Sequence, residues 1–233
     1  MNLRAPYNPL EKVNLGISVA QAMLAQDAQP LHDLLPFSGA GIYALYYHGD
    51  FAAYGKLADI NQTQGATVPI YVGKAIPEGG RKGVTLPAGV SGARLTRTLY
   101  RRLMEHAESI RATSLSINHF SCRYLVVDDI WIPLGESLLI TRFSPLWNLL
   151  VDGFGNHDPG KGRYNGFAPK WDVLHPGRAW APRCRPRVET AEQIAAEVAS
   201  WLDQAPALVQ SRYVIRESVA AYHVDRLDPR VKD

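Results

Sequence analysis

GIYALYY at residues 41–47 and PIYVGKA at residues 69–75 decide how this chain folds. Each run is short, rich in Ile, Val and Tyr, and bounded by glycine, the composition of a buried strand. The interval from Gly49 to Thr67 contains Gly49, Gly55 and Gly65 and no sustained apolar run. It reads as a loop, with room for one helical turn, that returns the chain to the first strand. A hairpin-like pair results, with Tyr43 and Tyr71 at matching places.

Outside that pair, composition sets the bounds. With 233 residues, 46% hydrophobic and 20% charged, the chain can build a substantial core in one domain with appendages or in two small ones. Two cysteines, Cys122 and Cys184, stand far apart without a C-x-x-C partner, which argues against a zinc ribbon or a disulfide framework. No apolar run approaches the roughly 18 residues of a membrane span, and the N-terminus lacks a signal-peptide apolar region. A cytosolic protein is expected. The net charge of +3 and pI near 8.8 permit nucleic acid as a partner without demanding it.

Asn14–Gln26 has Leu15, Val19, Ala22, Met23 and Gln26 at helical spacing and reads as a packing arm. After the second strand, Ile76–Gly92 is rich in Gly and Pro and carries Arg81 and Lys82. It reads as a surface excursion or as a loop that lets phosphate approach closely. Ala93–Arg111 is the strongest helix signal, with Leu95, Leu99, Leu103, Ala107 and Ile110 in one stripe. Arg94, Arg97, Arg101 and Glu108 point away from it, Arg101 toward solvent or a phosphate. Arg102 and His106 sit four apart at its edge, where spacing alone suits an edge-of-core pair. His119–Asp128 reads as a third strand. Trp131–Phe143 reads as a helix with Pro133 in its first turn, and Glu136 shares a face with Leu139, Ile140 and Phe143. A carboxylate there needs a salt bridge, a helix N-terminus or a metal. PLWNLL, with Asn148, follows at Pro145.

GIY at Gly41–Tyr43, YVG at Tyr71–Gly73, Arg and His on one helix, Glu on the next, then Asn: this order resembles the GIY-YIG nucleases over residues 40–150. The resemblance places Tyr43, Tyr71, Arg102, His106, Glu136 and Asn148 in that family's active-site positions. YVG stands where YIG is usual, one methylene smaller. The VGKA continuation, the Gly/Pro/Arg loop and the R-x-x-x-H helix are similar to type II restriction endonucleases that cut the palindrome CCGCGG. The implied activity is phosphodiester hydrolysis in double-stranded DNA by a homodimer in the bacterial cytoplasm. Glu136 would hold one Mg²⁺, with Mn²⁺ as a substitute. In the implied chemistry Tyr43 activates water, a nearby cation or metal lowering its pKa, and His106 takes the proton. Tyr71 positions water or phosphate, Arg102 stabilises the phosphorane, and Asn148 orients phosphate or a ligand water.

Past Leu150, the GNHDPGKG run at residues 155–162 nearly matches a P-loop but has Gly162 where a magnesium-binding Ser or Thr belongs. Lys161, Arg163 and Asn165 could instead contact phosphate or bases. His157 and His175 lack ligand spacing and read as surface or hydrogen-bonding groups. In RAWAPRCRPR at residues 178–187, Arg178, Arg183, Arg185 and Arg187 suit an extended segment in a DNA groove, or a solvated surface. Lys74, Arg97 and Arg101 join them as expected DNA contacts. Glu189–Gln204 is an amphipathic helix capped by Thr190, and the tail, with Val214, Ile215, Val219 and Tyr222, reads as a packed element or dimer contact. The expected fold is α+β, a small, mainly antiparallel three-stranded sheet flanked by helices. The expected divisions are a helical arm (1–39), a catalytic core (40–150) and a DNA-contacting extension (151–233). A homing or repair nuclease on the same module, or a non-catalytic nucleic-acid-binding module, are the rival readings.

Overall fold

Gly41–Tyr47 forms strand β2, and every one of its residues is buried. The computed structural model describes residues 8–77, 96–160, 162 and 164–204. Among these, β2 lies inside a four-stranded sheet ordered β1-β4-β2-β3, with β1 at Gln29–Pro30, β3 at Tyr71–Ala75 and β4 at Phe120–Val126. All three pairings are antiparallel. The α+β class is as expected, but the sheet has a fourth strand. Its two residues are too short for any pattern, and Pro30 sits at the sheet edge, where a missing N–H costs no ladder bond.

Because β2 is covered on both sides, its sequence runs apolar without alternation. Tyr43, Leu45 and Tyr47 join a cluster with Leu99, Leu103, Ala107 and Ile110 of helix α3 (Thr98–Arg111). On the other face Ile42, Ala44 and Tyr46 pack with Ala20 and Met23 of α1 (Lys12–Leu24) and Ile132, Leu139 and Phe143 of α4 (Ile132–Phe143). Leu99, Leu103 and Ile110 are wholly buried, each contributing about 1.5–3 kcal/mol. The α3 stripe therefore fixes that helix to the sheet. Its first expected residues, Ala93 to Leu95, lie outside the described set, as do Arg81, Lys82, Lys161, Arg163 and the tail from residue 205 on.

The interval between the paired strands is not a loop. It holds α2, Gly55–Gln64, which stops at Gly65 in the left-handed conformation (φ +73°). Its inward face is narrow: Leu57, Ala58 and Asn61. Asn61 Nδ2 donates to the carbonyls of Tyr47 (3.1 Å) and Val68 (2.9 Å), and its Oδ1 accepts from the Val68 amide at 2.8 Å. A helix docked by one amide rather than by a long stripe leaves no periodic signal.

β3 is an edge strand, and α5 (Leu146–Leu149) closes its open side. The Trp147 amide donates to the Ile70 carbonyl at 2.9 Å. Farther on, α6 (Lys170–Leu174) leads to residues 178–187. These are not an extended strand: Ala181–Arg183 forms a single 3-10 turn, and only Phe167 and Arg185 make an isolated bridge. Helix α7 (Ala191–Gln204) opens with a capping box. Thr190 Oγ1 accepts from the Gln193 amide, and Gln193 Oε1 accepts from the Thr190 amide. Ile194, Val198 and Leu202 of α7 belong to the same cluster as Tyr43. Among the described residues no helix is long and apolar enough to cross a membrane.

Candidate active site

Tyr43 and His106 meet in the interior. Tyr43 lies mid-strand on the α3 face, one turn of α3 presents His106, and Tyr43 Oη stands 2.6 Å from His106 Nε2. Tyr43 is fully buried and His106 is 2% exposed. Burial, then the neighbouring Tyr71, raises the Tyr43 pKa well above its ordinary 10, although Arg102 pulls it down. Burial, then the Arg102 charge, drives His106 well below 6.5. Both groups are thus neutral at pH 7, and they share one hydrogen bond between the tyrosine hydroxyl and the imidazole. Arg102 does lower the Tyr43 pKa, as expected of a nearby cation, but in the free protein the net shift is upward. Loss of hydration outweighs the attraction of Arg102.

The signature glycines follow from this packing. A Cβ on Gly73 would strike the Tyr43 hydroxyl, and one on Gly41 would strike the Leu125 carbonyl of β4. The first lets the Tyr43 ring cross its neighbouring strand; the second lets β4 close on β2.

Tyr71 and Arg102 complete the cluster. The Tyr71 ring packs on Tyr43 (6.2 Å between centroids) and edge-on to His106 (5.3 Å). Arg102 Nη2 donates to the Gly155 carbonyl at 2.6 Å, and its Nη1 lies 2.6 Å from His157 Nε2 and 2.8 Å from Glu105 Oε2. Glu136 arrives from the opposite side of the sheet. It is on α4, and Lys74 Nζ of β3 donates to its Oε2 at 2.5 Å. The Glu136 charge still raises the pKa of both Tyr43 and Tyr71. Tyr43, Tyr71 and His106 therefore cluster on the α3 face of the sheet with Arg102 beside them, and Glu136, held by Lys74 on the α4 side, reaches the two tyrosines through its charge.

Asn148 is engaged with β3. Its Oδ1 accepts from the Val72 amide and its Nδ2 donates to the Val72 carbonyl, both at 2.8 Å. These two bonds tie the amide to the edge of β3 between Tyr71 and Gly73, and leave one Nδ2 hydrogen and one Oδ1 lone pair over.

The expected DNA-contacting cations scatter. Lys74 is engaged with Glu136. Arg97 and Arg101 are exposed on the outer face of α3, as their spacing predicts. Arg183 and Arg185 are exposed, Arg183 donating to Tyr164 Oη at 3.1 Å and Arg185 lying over the Phe167 ring at 4.8 Å. Arg187 pairs with Glu189 at 3.0 Å. Arg178 contradicts the groove-contact expectation: it is 5% exposed and bound to the Asp172 carboxylate. A carboxylate six residues upstream draws it into the core.

Other residues carry no sequence signal. The Phe154 ring stacks on His106 at 4.5 Å and packs on Tyr71 at 5.0 Å. His157 is exposed beside Arg102, whereas His175 is buried with its Nε2 hydrogen-bonded to Tyr54 Oη at 2.6 Å, its pKa lowered by burial to about 3. The GFGNH stretch around Phe154 and His157 follows the Asn148 motif closely, and proximity in sequence is its one available clue.

Among the described residues no three His, Cys, Asp or Glu side chains could cage a metal ion. Among the described residues near the cluster, Glu136 on the Lys74 side and Glu105 on the Arg102 side carry carboxylates, and they do not share a metal cage. Glu136 by itself fits Mg²⁺, which is commonly held by one carboxylate with water and substrate phosphate filling the remaining positions.

The buried Tyr–His pair, the Tyr and Arg beside it and the Glu across the sheet all lie within the stretch that a family comparison matches. Residues 35–202 match the family model described as the Eco29kI GIY-YIG domain, and the chain belongs to that family. It is a family of restriction endonucleases, phosphodiester hydrolases acting on DNA, and GIY-YIG nucleases generally use a divalent metal. No curated protein matches the chain significantly.

Proposed function

We propose that this chain is a type II endonuclease that cuts double-stranded DNA at the G·C-rich palindrome CCGCGG. It acts as a homodimer with one Mg²⁺, or Mn²⁺, per active site. The observation that carries the reading is the 2.6 Å Tyr43–His106 bond with Arg102 and Tyr71 gathered against it. Eco29kI, after which the matching family is described, cuts CCGCGG. A two-fold palindrome matches two copies of a site that cuts one strand.

Hydrolysis needs a base for the attacking water and a counter-charge for the phosphorane. Burial opposes a free tyrosinate, so Tyr43 acts as a relay. Its oxygen takes a proton from water while its own hydroxyl proton passes to His106 Nε2. The negative charge growing on the phosphoryl oxygens stabilises the imidazolium formed nearby. Arg102, held through Nη2 on the Gly155 carbonyl, offers its remaining N–H donors to the phosphate oxygens. Tyr71 orients the water. Glu136 would hold the magnesium ion, which supplies Lewis-acid stabilisation of the leaving 3′ oxygen. Asn148 fixes the strand that carries Tyr71.

Incubation with plasmid and Mg²⁺, followed by sequencing of the ends, tests the reading. Discrete fragments ending within CCGCGG are expected. Nicks at branches or lesions, or an intact plasmid retarded in a gel, would overturn it.

A further inference from the structure

We infer that Arg178, clamped on Asp172, is a positioning residue that holds the Gly153–Asn156 turn in the shape that seats His106 and Arg102. The inference rests on the nuclease reading of the Tyr43–His106 site. A guanidinium has five N–H donors, and here each one is used. Nε donates to Asp172 Oδ1 at 2.6 Å and Nη2 to Oδ2 at 2.5 Å. The other three go to backbone carbonyls of one turn: Gly153 at 2.9 Å, and Phe154 and Asn156 at 3.0 Å each. The guanidinium also lies over two indoles, 4.7 Å from the Trp171 centroid and 4.6 Å from that of Trp180.

That turn touches the reacting groups at three points. Phe154 stacks on His106, the Gly155 carbonyl accepts from Arg102, and a Cβ on Gly155 would collide with the Tyr71 hydroxyl. The turn also contains Gly153 at φ +98°, a conformation that side chains disfavour. Such a backbone keeps its shape when its carbonyls are held, and one planar fork holds three of them. Lysine, with three donors at a single point, cannot reproduce that arrangement.

The full chain carrying Arg178→Lys, compared with wild type on a plasmid containing CCGCGG, tests this. The expected result is a fall of roughly 100-fold in the single-turnover rate, the scale of a misplacement near 1 Å. DNA affinity should stay within about threefold, and the dependence of binding on salt should keep its slope, because no phosphate contact is lost. The ¹⁵N resonances of His106 should shift as its stacking changes. A folded Arg178→Lys protein with the wild-type rate overturns the inference. So does a salt slope shallower by about one, the mark of a phosphate contact. Should no replacement at 178 fold, Asp172→Asn decides by the same two readouts, with a rate loss of about tenfold expected and a wild-type rate overturning the claim. If wild type cuts no DNA, the nuclease reading has failed instead, and the clamp is still judged: an unmoved His106 resonance in the folded variant overturns it.

Discussion

Replacing Tyr43 with Phe removes one oxygen from the centre of the site and keeps the ring. The effect separates into two parts. His106 Nε2 loses its 2.6 Å partner at a position 2% exposed, and a buried acceptor left unsatisfied costs about 1–3 kcal/mol. At about 2–4 °C per kcal/mol for a chain of this size, the melting temperature should fall by roughly 2–12 °C. Catalysis should suffer more, because a positioned proton-transfer group is worth about 10²–10⁴ in rate. Single-turnover cleavage of supercoiled plasmid, thermal unfolding followed by circular dichroism and a gel shift measure the three quantities. Cleavage should drop at least about 100-fold, at a temperature where the variant is folded and its affinity for DNA is within a few-fold of wild type. A Tyr43→Phe protein cutting within threefold of wild type would refute the relay. An unchanged melting temperature would refute the hydrogen bond.

Gly73→Ala places a methyl group against the Tyr43 hydroxyl; a loss of about 1–3 kcal/mol in urea unfolding and a strong fall in cleavage are expected, and wild-type behaviour would contradict the crossing of Tyr43 over β3. Asn148→Ala frees the Val72 amide and carbonyl at the sheet edge; amide exchange at Val72 should quicken, with a loss of about 1–3 kcal/mol, and unaltered exchange would contradict the clamp. Acid should destabilise the fold through its histidines: His106 and His175 have folded pKa values depressed by burial, so the unfolded chain binds more protons. Their stabilisation is full above pH about 6.5 and declines as pH falls toward the folded values, by up to about 1.4 kcal/mol per unit for each. Urea midpoints measured from pH 7.5 to 5 should drop accordingly, and a flat profile would contradict their burial as neutral groups.

How far the sequence alone carries differs from element to element. α3 is readable because burial on a regular period writes itself into residue order: Leu99, Leu103, Ala107 and Ile110 can share a face in one way, whereas β2 and β3 are readable as short runs of Ile, Val and Tyr bounded by glycine. Tyr43, Tyr71, Arg102, His106 and Glu136 are picked out by motif order; the first four lie together in the structure, and Glu136 is across the sheet on Lys74. The helix at Gly55–Gln64 escapes a sequence reading because a single Asn61 amide docks it. Arg178 misleads because charge in sequence does not reveal its partner; Asp172 and two indoles remove it from solvent. Arg123 shows the same effect on β4, where its guanidinium is buried on the Gln26, Gly65 and Ala66 carbonyls. Asn148 belongs to the same motif order, but its bonds to Val72 are visible only once β3 is seen to be an edge.

The most direct measurement is a crystal structure of the protein with a CCGCGG duplex and Ca²⁺ in place of Mg²⁺. One scissile phosphate per subunit should lie within hydrogen-bonding reach of Arg102, with Tyr43 Oη facing the in-line water and Glu136 Oε atoms at the cation. A phosphate seated instead along Arg183 and Arg185, with the Tyr43–His106 pair remote from the DNA, would contradict the account.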